Sequence, residues 1–137
     1  MQEIVNRKLW IGNARDARDV ALLNRHGMTT VVDLAAEEPP AVLPRSMCYL
    51  RFPLHDDGNN PTEALNCVVQ CILELLRPEE SRTLVACSAG RSRSPAITAV
   101  VLHRHGGGRL DDWLPYLDGK VACDISPALW RSLAALP

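Results

Sequence analysis

Aromatic side chains are scarce in this chain of 137 residues: one Phe, two Tyr and three Trp. That scarcity argues against an aromatic platform for stacking bases. An excess of one charge is also missing. Fifteen Lys and Arg against sixteen Asp and Glu leave a formal net charge of −1, so there is no global basic field and no nucleic-acid partner is expected. No apolar run approaches the roughly 20 residues that span a bilayer, so no membrane insertion is expected. Residues 1–8 lack the apolar stretch of a secretory leader. The five cysteines, at positions 48, 67, 71, 87 and 123, show neither zinc-site spacing nor a regular disulfide framework. Cys67 and Cys71 lie one helical turn apart, and two thiols alone do not make a zinc site, so they read as core packing. A reducing, cytoplasmic setting fits this set of thiols.

What is present is ordinary for a globular protein: 47% apolar and 23% charged residues. The length suits one domain, residues 1–137, with a sizeable core. Residues 8–12, 29–34, Cys48–Leu54 and 84–87 read as strands, the third in spite of Arg51 and Pro53. Between them lie helical patterns. One runs to about His26, capped by Asn13 or Asp16 and closed by Gly27, with acids early and bases late. A second starts with Asn60 as cap and Pro61 at its first position. It buries Leu65, Val68, Val69, Ile72 and Leu76. A third has Ser94 as N-cap and Pro95 at its first position, and ends at Gly106. Gly106-Gly107-Gly108 reads as a flexible joint, and Leu110, Trp113, Leu114 and Leu117 as a helix despite Pro115. A last helix begins at Ser126-Pro127 and buries Leu129, Trp130 and Leu133. Strands alternating with helices imply an α/β fold with a mainly parallel central sheet flanked by helices. Ligands of such sheets bind beyond the carboxyl ends of the strands, and Cys87 stands at one such end.

The chain is organised around Cys87-Ser88-Ala89-Gly90-Arg91-Ser92-Arg93-Ser94-Pro95, a tight loop between a buried strand and a helix. The loop amides, from Ser88 through Ala89, Gly90, Arg91 and Ser92 to Arg93, have no ladder partners, and at a helix N-terminus such an array holds an anion. Gly90 supplies backbone freedom or close approach. The same field favours a thiolate: a cysteine at a helix N-terminus beside arginine has its pKa lowered from roughly 8.5 to between about 3.5 and 7.5. Arg93 offers a planar fork for two phosphate oxygens. Arg91 reads either as a solvated loop residue or as a substrate contact.

Cys87, five residues, Arg93 and Ser94 resemble the signature of the cysteine-dependent protein tyrosine phosphatases. Cys-Ser-Ala-Gly-Arg-Ser-Arg-Ser is most similar to the small dual-specificity branch. The resemblance implies a phosphomonoester hydrolase with a phosphocysteine intermediate, no metal or other cofactor, and a phosphorylated protein or small phosphomonoester as substrate. It also implies that Ser94, besides capping its helix, hydrogen-bonds the sulfur and helps it leave. One position departs from the family pattern: Ala86 stands where a histidine usually precedes the cysteine.

A poor leaving group needs a proton donor, and the resemblance assigns this to an aspartate after an earlier strand. Phe52-Pro53-Leu54-His55-Asp56 matches that segment. Asp56 is the expected general acid and later base, with Asp57 as the other candidate. A phospholipid or inositol phosphate substrate remains open because of Arg91, although Ser88 directly after the cysteine weakens it. Rivals from other classes are a weak phospho-binding module, favoured by Ala86, and a rhodanese-like sulfur transferase.

Overall fold

The computed structural model describes all 137 residues. Five strands form one sheet: β1 (Gln2–Val5), β2 (Leu9–Gly12), β3 (Thr30–Ala35), β4 (Cys48–Leu54) and β5 (Thr83–Ala86), in the order β1-β2-β5-β3-β4. The pairs β2–β5, β5–β3 and β3–β4 are parallel, and only β1–β2 is antiparallel. Every residue of β2, β3 and β5 is buried, as continuous apolar runs in a doubly covered parallel sheet require. β4 lies at an edge, which accommodates the exposed Pro53. β1 is absent from the sequence-based expectation. It doubles back from β2 through a tight turn at Arg7, which has φ +58°, and lays Ile4 against Ile11 and Leu117.

Helices cover both faces. On one side lie α1 (Ala14–Arg18) and α2 (Val20–Arg25), whose Ala17 and Leu23 pack with Trp10, Val31, Leu84 and Ala86. The expected single helix here is two, because Asn13 and Asp16 form a capping box for the first and Asp19 caps the second. On the other side lie α3 (Thr62–Leu75), α4 (Arg93–Gly106), α5 (Trp113–Asp118, entered through a 3-10 turn) and α6 (Pro127–Ala134). Leu65, Val68, Val69, Ile72, Ile97, Val101, Leu129 and Leu133 meet Leu9, Val32, Leu34 and Val85 in the main core. Trp130 is only partly buried at the edge of that core.

Three expectations need correction here. Cys67 is exposed and Cys71 half-buried, because both sit off the apolar stripe of α3. The triple glycine is a pinned C-cap rather than a loose joint: Gly107 has φ +77°, and its carbonyl accepts a bond from Trp113 Nε1 at 3.0 Å. Asn60 does not cap α3, whose N-cap position is Pro61 with no side-chain bond. Its amide is used elsewhere, as described below.

Candidate active site

The period of two along a strand decides where the sulfur goes. Leu84 and Ala86 point toward α1 and α2, so Val85 and Cys87 point toward α4. β5 lies in the middle of the sheet between β2 and β3, so loops leaving all three strands converge beside Cys87. The thiol is 2% exposed. Ala14 N–H donates to the carbonyl of Ser88 at 3.1 Å, which ties the first helix to the loop.

The amides of Ser88, Ala89, Gly90, Arg91 and Ser92 donate no hydrogen bond within the chain. Gly90 has φ +73°, and a Cβ there would stand 2.9 Å from the carbonyl oxygen of Gly12. Only glycine meets both conditions. The helix after the loop starts at Arg93, with Ser92 in the N-cap position, two residues earlier than the Ser-Pro pair suggests. Ser94 is therefore inside the first turn rather than its cap. It is fully buried, and its hydroxyl has no hydrogen-bond partner.

Arg93 is buried at the end of the loop. Nη1 donates to Glu37 Oε2 at 2.7 Å and to the carbonyl of Leu54 at 2.9 Å, and Nη2 donates to Glu37 Oε1. Nε is buried without a partner. The hydrogen bonds from Arg93, chiefly, hold the Glu37 carboxyl down at about 2, and the same bonds raise Arg93 above the ordinary arginine value. Glu38, next in the chain, accepts from Ser88 Oγ at 2.6 Å and pairs with Arg18 at 3.2 Å. The two neighbouring glutamates thus grip both ends of the loop. They are held in turn by Arg51 on β4, whose Nη2 donates to the carbonyls of Ala35 and Glu38.

A cavity of about 270 Å³ brings Cys87, Ser88, Ala89, Arg91, Ser92 and Arg93 together with Asp56, and adds Asp124 from the segment before α6. Asp56 accepts from Ser92 Oγ, which itself accepts from Ser126 N–H at 2.9 Å. Asp57 is occupied otherwise: Oδ1 accepts from Asn59 N–H at 2.8 Å in a local turn. Asn60 fastens this loop, accepting from His55 N–H at 2.7 Å and donating to the His55 carbonyl at 2.8 Å. Arg91 is exposed, with Nε donating to the carbonyl of Ala122 at 3.0 Å. Glu37, Glu38 and Asp124 are site residues that sequence reasoning missed. Each reaches the loop from more than thirty positions away or across a turn of no local signature.

The chain is similar to known proteins in sequence and in fold. The family model described as dual specificity phosphatase, catalytic domain, matches residues 9–136. Mouse dual specificity phosphatase 28 is 37% identical over 106 residues, which cover 75% of this chain and 63% of that protein. Human dual specificity phosphatase 28 is 30% identical over 129 residues, covering 91% of this chain and 71% of the relative. The crystal structure of human DUSP28 superposes with a TM-score of 0.85 at 26% identity, over 98% of this chain and 93% of that one.

Proposed function

Because the chain belongs to the dual-specificity phosphatase family, we propose that its 137 residues form one catalytic domain that hydrolyses phosphomonoesters, with phosphorylated proteins as substrates. The observation that carries this reading is the meeting in one cavity of Cys87, loop residues whose amides are unpartnered, Arg93, whose buried Nε has no partner, and Asp56.

In the proposed reaction the Cys87 thiolate attacks phosphorus, forming the S–P bond as the ester P–O bond breaks. The departing oxygen takes a proton from Asp56. The loop amides and Arg93 Nε–H hold the three equatorial oxygens, more tightly as charge redistributes in the transition state. Asp56, now ionised, takes a proton from water, whose oxygen attacks phosphorus. The S–P bond breaks, and inorganic phosphate leaves with the thiolate restored. The buried Ser94 hydroxyl, which has no partner within the chain, is available to donate to the sulfur in this second step. Ser92 positions the acid, and Glu37 positions the arginine. Nothing in these steps requires a metal. All five cysteines are free, which suits a reducing compartment such as the cytoplasm, and no helix is long and apolar enough to cross a membrane.

The test is release of phosphate from para-nitrophenyl phosphate by the native protein and by Cys87→Ser, Arg93→Ala and Asp56→Ala. Turnover abolished in Cys87→Ser is the expected result. Retained phosphopeptide affinity without native turnover would assign a binding module instead, and thiocyanate formation from thiosulfate would assign a sulfur transferase.

A further inference from the structure

The cavity over Cys87 has a rim that carries both signs of charge as well as an anion-binding wall. Its charged lining residues are Asp56, Asp124, Arg91 and Arg93. Of the two arginines only Arg93 is committed. Arg93 gives both terminal nitrogens to Glu37 and Leu54 and keeps only a buried Nε for a ligand. Arg91 is anchored through Nε to the carbonyl of Ala122, makes no ion pair within the chain and keeps both terminal nitrogens free. Asp124 is exposed and makes no ion pair within the chain. Its backbone is fixed to the loop itself, with its N–H donating to the carbonyl of Arg91 at 2.7 Å. The loop that receives a phosphoryl group thus carries an unneutralised carboxylate at its rim.

The Arg93 Nε–H and one set of amides provide for one phosphoryl group. A lysine or arginine side chain beside the phosphorylated residue meets Asp124 favourably. We propose that Asp124 is a specificity-determining residue, which favours phosphorylated protein segments with a basic residue flanking the phosphorylated one. The inference rests on the phosphatase reading and goes beyond it in naming the substrate class.

An exposed charge pair is worth about a two- to fivefold preference, and salt screens it. The experiment measures kcat/KM for singly phosphorylated peptides that differ only in one flanking residue, Lys, Ala or Glu, placed on either side. Ratios are taken within each protein, so that any change in basal turnover cancels. In the native protein the Lys peptide should exceed the Ala peptide by about two- to fivefold at low salt, with the Glu peptide below both. The ratio should fall to about one in Asp124→Asn and invert in Asp124→Lys. A ratio unchanged in Asp124→Asn overturns the proposal, as does a preference of the native protein for the Glu peptide. Para-nitrophenyl phosphate separates the two levels. Native hydrolysis of it with a flat peptide series overturns the specificity proposal alone, whereas no hydrolysis overturns the phosphatase reading beneath it.

Discussion

Replacing Glu37 by alanine removes the only carboxylate on the Arg93 fork. The guanidinium is left buried with one acceptor, the Leu54 carbonyl, and Nη2 with none. Stripping one partner from a fully buried ion pair costs about 3–5 kcal/mol. Glu37 itself is half exposed, with 53% of its side chain accessible, so water replaces part of what is lost. Discounted for that screening, the destabilisation should be about 1–2 kcal/mol. The effect on turnover is separate. An arginine free to swing misplaces Nε relative to the sulfur, and misplacement of about 1 Å costs up to about a hundredfold. A fall in kcat/KM of about tenfold or more on para-nitrophenyl phosphate is therefore expected, with urea unfolding run in parallel. The pH dependence has a definite sign. The Glu37 carboxyl is depressed from 4.5 to about 2 in the folded chain. Its stabilising contribution is therefore complete above the unfolded value and is lost as pH falls from about 4.5 through about 2. The stability gap between native and Glu37→Ala proteins should close across that window. Faster turnover in Glu37→Ala would refute the reasoning, since it would mean that the carboxylate competes with substrate for the fork instead of setting it.

Asp56→Asn should lower kcat on alkyl phosphates by about 10²–10⁴-fold, whereas Asp57→Asn, which alters only a local turn, should stay within a few fold. Steady-state assays of the pair check this, and equal losses would contradict the assignment. Gly90→Ala should destabilise by about 1–3 kcal/mol and cut turnover, because its φ is +73° and the new methyl would press on Gly12 O. Denaturant midpoints measure the first, and an unchanged midpoint would show that the loop tolerates a side chain there. Installing the missing family histidine as Ala86→His should not simply improve the enzyme. Ala86 is fully buried against Trp10, Ala17 and Leu84, so the larger ring overpacks that face by about 1–3 kcal/mol. A variant as stable as the native protein in urea would contradict this.

Elements whose cause is local were legible in the sequence. β4 matches its expected bounds, α3 buries the stripe that its spacing announces, and Ser126 caps α6 as its Ser-Pro pair implies. Cys87, Arg93 and Asp56 do meet in one cavity. What was not legible has long-range causes. Glu37 lies in a turn shortly before two prolines and carries no local signal, yet its partner lies 56 residues on. Ser94-Pro95 carries a strong local start signal. The helix nevertheless begins at Arg93, while the Ser92 hydroxyl is drawn into bonds with Asp56 and Ser126. Asn60 gave the same misdirection: a good capping residue, used here to fasten the acid loop. Ser92, which has capping potential, is claimed by distant partners, and Asn60 by the backbone of its own loop.

The account stands most directly on whether phosphate passes through sulfur. Asp56→Asn protein, mixed with para-nitrophenyl phosphate and quenched rapidly, should carry a phosphoryl group on Cys87, detectable by peptide mass spectrometry. The aryl leaving group departs without the acid, while breakdown of the intermediate lacks its base. Sustained release of phosphate with Cys87 never modified, or release that persists in Cys87→Ser, would contradict it.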